Sequence, residues 1–69
     1  MQDFGKRLTA VREKQKLSPA ELSNKLHIST ERLSFWEKGE REPGLTMLKK
    51  ICTVLNVSPS FLLGLIEEA

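Results

Sequence analysis

Side chains suited to catalysis or metal binding are scarce in this 69-residue chain. It has one histidine, His27, and one cysteine, Cys52, and neither belongs to a set with metal-ligand spacing. The sequence has no glycine-rich phosphate-binding loop and no paired carboxylates in a cleft-forming context. We therefore expect no enzyme activity, no cofactor, no bound metal and no small-molecule ligand. His27 is expected to be a turn residue, and Cys52 a buried one.

Polar side chains that can recognise a partner are concentrated between residues 29 and 41 instead. Helical spacing turns Leu33 and Trp36 inward and leaves the opposite face to five residues: Thr30, Glu31, Ser34, Phe35 and Lys38. Hydroxyl and carboxylate groups can hydrogen-bond to base edges, and an aromatic ring can contact a thymine methyl group. This pattern favours a helix presented to nucleic acid.

The elements around these residues spell two short helices joined by a tight turn. Ser18 and Glu21, with Pro19 between them, predict a capping box and a proline at the first helical position. The chain must turn at His27, Ser29 or Thr30 caps the next helix, and Gly39 ends it. In such a helix-turn-helix the second helix enters the DNA major groove.

The remaining sequence predicts three more helices and no strand, so we expect one all-α domain spanning residues 1–69. The first helix runs from about Asp3 to Lys16, with Asp3 as N-cap and Phe4, Leu8, Val11 and Arg12 on its inner face. The fourth ends at a left-handed Asn56, and its predicted buried stripe is Leu45, Leu48, Ile51, Cys52 and Leu55. The fifth starts at Ser58-Pro59 and carries Phe61, Leu62 and Leu65; some of Leu63, Leu65 and Ile66 should be exposed, and Lys49 and Lys50 should form a solvated face.

Composition and charge restrict the partner and the location. The net charge is +2, with +3 in residues 1–17 and −1 in residues 18–69, so the basic character lies outside the candidate reading helix. Residues 29–42 alone carry −1. No apolar run approaches the roughly 20 residues of a membrane span, and a single cysteine suits a reducing compartment. We expect a cytoplasmic protein without membrane contact.

The order of these features resembles the lambda-repressor-like family, the Cro, phage-repressor and xenobiotic-response-element type of helix-turn-helix domain. The resemblance rests on an ordered set without insertions: Leu17-Ser18, Glu21-Leu22, Lys25-Leu26, Ile28-Ser29, Leu33-Ser34, Trp36-Glu37, Gly39, Arg41, Pro43, Leu45, Leu48 and Val57-Ser58. It implies a compact five-helix fold with helices two and three as the reading unit. It also implies a buried ion pair between Arg12 and Glu37, and a homodimer formed through the region of helices four and five.

The resemblance also assigns roles to individual residues. Base edges would be read by Thr30, Glu31, Ser34 and Phe35. Phosphates would be contacted by Ser18, Ser29, Arg32, Lys38 and Arg41. The implied function is a sequence-specific transcriptional regulator, and specifically a repressor that binds double-stranded DNA as a dimer.

Departures from the family pattern support a second hypothesis. Many relatives have Gln at the position of Pro19, and proline lacks the side-chain hydrogen-bond donor of that Gln. Glu31 and Phe35 are also unusual on a reading face. Phe35 can mark a protein interface, and Glu31 can be a first-turn residue favoured by the helix dipole. The alternative is a protein-interaction module, antitoxin- or anti-repressor-like, with weak or no DNA binding.

Overall fold

Five α-helices make up the part of the chain that the structure, a computed structural model, describes, residues 4–67. They are α1 (Phe4–Lys14), α2 (Pro19–Leu26), α3 (Thr30–Glu37), α4 (Leu45–Leu55) and α5 (Pro59–Leu62). No strand occurs within these residues, so the all-α fold with a helix-turn-helix at α2 and α3 is confirmed. The predicted N-cap Asp3 lies outside the described residues.

Most helix ends lie where the sequence predicted them, because local capping interactions determine them. Ser18 and Glu21 form the capping box at α2: the Glu21 N–H donates to Ser18 Oγ at 3.0 Å, and the Ser18 N–H donates to Glu21 Oε1 at 2.8 Å. Ser29 caps α3 by accepting from the Arg32 N–H at 3.1 Å. His27 and Asn56 both adopt the predicted left-handed conformation, with φ of 58° and 55°.

The first helix is shorter than predicted. It ends at Lys14 because Lys16 is left-handed, with φ of 59°, and the Leu17 N–H turns back to donate to the Arg12 carbonyl at 3.1 Å. A lysine at such a position gives little signal in the sequence, since glycine or asparagine is the usual occupant.

One apolar core is shared by all five helices. Leu33 is fully buried and Trp36 is 3% exposed, which confirms the inward face of α3. The other buried apolar residues are Phe4, Leu8, Val11, Leu22, Leu26, Ile51, Cys52, Leu55, Val57 and Leu62.

Two predictions about exposure on α4 were wrong, and a third, that α5 carries Leu65, needs correction. Leu45 is 85% exposed because it is the first residue of α4, while Leu48 is only half-buried. Helix α5 ends at Leu62 and so does not carry Leu65. The expectation that some of Leu63, Leu65 and Ile66 are exposed is confirmed, since Leu65 is 73% and Ile66 45% exposed. Lys50 is not part of a solvated face: its ammonium group donates to the Leu26 carbonyl at 2.9 Å.

Helix α1 packs tightly against the end of α3. A Cβ atom at Gly5 would lie 2.6 Å from the Trp36 carbonyl oxygen and 2.5 Å from that of Glu37. Only a residue without a side chain therefore permits this approach. The two helices are also joined by Arg12 and Glu37, so the orientation of α3 is fixed by α1.

None of the helices in residues 4–67 is both long enough and apolar enough to cross a membrane.

Candidate nucleic-acid interface

The outer face of α3 is the surface that the helix-turn-helix presents. Thr30, Glu31 and Lys38 are exposed, while Ser34 and Phe35 are half-buried at its edge. Because Leu33 and Trp36 anchor the opposite side in the core, this face is held on a rigid support. The four residues predicted to read bases are therefore brought together on one side of one helix.

Two of the predicted phosphate-binding residues, Ser18 and Ser29, are the N-caps of α2 and α3. Ser18 and Ser29 each accept a hydrogen bond from a backbone N–H of the helix they cap, which leaves the proton of each hydroxyl free to be donated outward. The Glu21 carboxylate also lies at the start of α2. It accepts a hydrogen bond from the Ser18 N–H, and this bond holds the pKa of Glu21 below its ordinary value. Both predicted phosphate-binding serines are thus at helix starts, where the dipole favours anions.

Two arginines are stacked on aromatic rings beside the same face. The Arg41 guanidinium carbon lies 4.8 Å from the centre of the Phe35 ring, and that of Arg32 lies 5.4 Å from the Trp36 ring. A groove of about 360 Å³ runs between α3 and the following loop, lined by Ser29, Glu31, Arg32, Phe35, Trp36, Arg41 and Glu42. Arg32 and Trp36 are four residues apart on α3, a spacing at which helix side chains meet. Sequence spacing gave no sign of the Arg41–Phe35 contact, because it joins a helix to a loop and depends on side-chain rotamers.

An internal ion pair changes the charge of the interface. Arg12 Nε donates to Glu37 Oε2 at 2.8 Å and Arg12 Nη2 donates to Oε1 at 3.2 Å, as the resemblance implied. Their side chains are 11% and 14% exposed, and the bond to Glu37 raises the pKa of Arg12. Glu37 therefore faces inward, and the rest of residues 29–42 has no net charge: the cations Arg32, Lys38 and Arg41 balance the carboxylates Glu31, Glu40 and Glu42.

The turn between α2 and α3 is held from a distance by Lys50. Its ammonium group lies at the carboxyl end of α2, where a positive charge also favours the helix dipole. Sequence analysis missed this role and assigned Lys50 to a solvated helix face.

A helix-turn-helix family profile matches residues 8–62 of this sequence. This chain belongs to the helix-turn-helix family. Among curated proteins, the HTH-type transcriptional regulator ImmR of Bacillus subtilis (strain 168) is 38% identical over 61 residues, which are 88% of this chain and 48% of ImmR. The chain thus spans about half the length of that relative.

Solved structures of similar sequence share the fold. The P22 c2 repressor in complex with synthetic operator 9T is 34% identical, with a TM-score of 0.81 over 86% of this chain and 89% of that one. The N-terminal DNA-binding domain of SinR from Bacillus subtilis is 30% identical, with a TM-score of 0.83 over 91% and 93%. The restriction-modification controller protein C.AhdI from Aeromonas hydrophila is 28% identical, with a TM-score of 0.80 over 87% and 91%. The lambda-repressor-like fold is confirmed.

Proposed function

We propose that this chain is the DNA-binding unit of a transcriptional regulator, specifically a repressor, that places α3 in the major groove of double-stranded DNA. The observation that carries the proposal is the exposed polar face of α3, supported from below by Leu33 and Trp36. Family membership and the similarity to an operator-bound repressor support the same function.

Base reading falls to the residues on the outer face of α3. The hydroxyl groups of Thr30 and Ser34 can donate or accept, and the Glu31 carboxylate can accept from cytosine N4. The exposed first turn brings Thr30 and Glu31 to the end of the helix that enters the groove first. Phe35 is the fourth residue that the family resemblance assigns to this group.

Phosphate contacts fall to residues around the rim: Ser18, Ser29, Arg32, Lys38 and Arg41. Because cations and carboxylates balance on this face, we expect modest affinity carried by roughly four phosphates per subunit, with a salt slope near −0.9 for each.

Selection of bound sites from a random duplex pool tests the proposal. We expect a two-fold symmetric motif to be enriched and its binding to weaken between about 50 and 200 mM salt. Lys38→Glu and Arg41→Glu should each reduce binding strongly, whereas Lys14→Glu, the same charge change at an exposed residue of α1, should reduce it only slightly. No enrichment, or equal loss in all three variants, contradicts the assigned surface.

A second copy of the chain is the proposed occupant of the apolar surface on α4 and α5. A groove of about 440 Å³ is lined there by Leu45, Leu48, Lys49, Cys52, Thr53 and Pro59. Leu45 is largely exposed in the single chain, and a symmetric operator requires two reading helices. Sedimentation equilibrium should show that Leu45→Lys shifts the association towards monomer, while Thr46→Lys, an equal charge change at an exposed neighbour, does not.

The competing function is a protein-interaction module without DNA binding. It is favoured by the balance of charge on the outer face of α3 and by Pro19, which has no side-chain donor. Indifference of the chain to any duplex at low salt, together with a folded melting profile, would support this alternative.

A further inference from the structure

Phe35 is the predicted base reader whose surroundings differ from those of its neighbours. The Arg41 guanidinium lies over one face of its ring, 4.8 Å from the centre, and the ring itself is half-buried. Thr30 and Glu31, by contrast, are exposed. The ring face that Arg41 covers is not open to a thymine methyl group.

The backbone keeps Arg41 beside this ring. The N–H groups of Glu40 and Arg41 both donate to the Phe35 carbonyl, at 2.9 and 3.3 Å. Phe35 therefore contacts Arg41 twice, through its carbonyl and through its ring. The start of the loop after α3 cannot move away without breaking both contacts.

Contact with an aromatic ring can hold an arginine side chain in a conformation suited to binding a phosphate group. A guanidinium held over an aromatic face can keep N–H groups directed away from the ring, where they remain available for a bidentate contact. It also loses rotamer freedom before binding rather than during it. The restriction matters in this groove because Glu31 and Glu42 line it together with Arg41, so that a carboxylate could otherwise compete with phosphate for the guanidinium.

We propose that Phe35 is a positioning residue that acts through Arg41, holding its guanidinium ready for a DNA phosphate, rather than a reader of bases. This inference rests on the proposed function. It predicts that loss of the aromatic face weakens binding to every duplex sequence equally, since phosphate contacts carry no sequence information.

The test compares four variants: Phe35→Leu, Phe35→Tyr, Arg41→Ala and the double variant Phe35→Leu/Arg41→Ala. Affinity is measured by fluorescence anisotropy on labelled duplexes of about 20 base pairs, one of random sequence and one selected from a random pool. We expect Phe35→Leu to weaken both by the same factor of about two to five. Phe35→Tyr, which keeps the ring, should bind like the wild-type chain.

The double variant separates positioning from a general structural role. Arg41→Ala should lower the salt slope by about 1, and adding Phe35→Leu should then change the affinity by less than about 1.5-fold, because coupled residues are not additive. In NMR spectra the ring-current shift of the Arg41 Hδ protons should persist in Phe35→Tyr and vanish in Phe35→Leu. Thermal melting verifies that each variant is folded at the assay temperature.

Each other outcome overturns the inference. A changed preference at one base pair in Phe35→Leu would mean that the ring reads a base. An equal loss with and without Arg41, or no loss, would mean that Arg41 does not depend on the ring. If the wild-type chain binds no duplex even at about 50 mM salt, the proposed function fails as well, which distinguishes the two failures.

Discussion

Arg12 shows at the scale of one residue how a buried charge can organise this small domain. Its guanidinium donates two hydrogen bonds to Glu37 and a third, at 2.9 Å, to the Leu17 carbonyl. One side chain therefore links α1 with the end of α3 and with the segment before α2. This fork geometry requires arginine, and lysine cannot reproduce it.

Removal of one member of this pair should be costly. We expect Arg12→Ala to lower the free energy of unfolding by roughly 3–5 kcal/mol, because Glu37 remains as an uncompensated buried charge. The double variant Arg12→Met/Glu37→Leu should recover most of this loss, since apolar replacements of similar volume are often neutral. Denaturant unfolding followed by the fluorescence of Trp36, the single tryptophan, measures both. Lys14→Ala, at an exposed position in the same helix, should stay within about 0.5 kcal/mol of the wild-type chain.

Glu21 gives the domain a predictable response to acid. Its pKa is lowered first by the hydrogen bond from the Ser18 N–H, so the folded state favours the carboxylate. The stabilisation is therefore complete above the ordinary pKa of a glutamate and is lost as the pH falls through the lower folded value. We expect the melting temperature of the wild-type chain to exceed that of Glu21→Gln at neutral pH, and the gap to close in acid. A gap that stays constant over the whole range would contradict this account.

Predictability at the residue scale depends on whether a role follows from spacing or from a rotamer. The outward position of Thr30 and Glu31 follows from the helical period and the burial of Trp36. The stack of Arg41 on Phe35 does not, because it joins a helix to a loop through two side-chain conformations. The Arg12–Glu37 pair came from the family resemblance, and both residues lie at the edge of an apolar stripe.

At the scale of elements, too, some features of the helices were predictable from the sequence and others were not. Their starts at Ser18, Ser29 and Ser58 were predictable because a capping hydroxyl acts within three residues. Burial was less predictable, because it depends on what covers a helix. Leu45 has the right phase for the stripe of α4 but lies at its first turn, where no other helix within residues 4–67 covers it.

The close contact between α1 and α3 depends on Gly5, a residue that in the sequence alone looks only like a weak helix former. We expect Gly5→Ala to destabilise the domain by about 1–3 kcal/mol, because the methyl group would overlap two backbone carbonyls and this strain exceeds the gain in helix propensity. Thermal unfolding monitored by circular dichroism measures the change.

Gly44→Ser is the matched control for that substitution. Gly44 is the N-cap of α4, has a φ of −71°, provides no capping side chain and has open space around its Cβ position. Serine should therefore stabilise the domain by about 0.5–1 kcal/mol, through a new cap and a less flexible unfolded chain. If both substitutions destabilise alike, the close approach at Gly5 is not the cause.

Helix α1 connects the reading unit with the C-terminal part of the described chain at the scale of the whole molecule. One part of it contacts α3 through Gly5 and Arg12. Another part contacts the segment from α5 onwards through Arg7, which donates to the Phe61 carbonyl at 3.1 Å and the Ile66 carbonyl at 2.8 Å. The Arg7 guanidinium also lies 4.7 Å from the centre of the Phe61 ring.

Loss of Arg7 should loosen one end of the molecule and leave the other intact. We expect Arg7→Ala to lower the free energy of unfolding by roughly 1.5–3 kcal/mol, the usual range for hydrogen bonds to a charged group. The nearby ion pair with Glu67 adds little, since that carboxylate is 93% exposed. Hydrogen exchange should accelerate at the Gly64 and Leu65 amides, which close the turns after α5, and remain slow at Leu33 in α3. Lys6→Ala, the same loss of charge at an exposed neighbour, should leave hydrogen exchange in both regions unchanged. If exchange instead accelerates uniformly in Arg7→Ala, this arginine supports the whole core rather than one end.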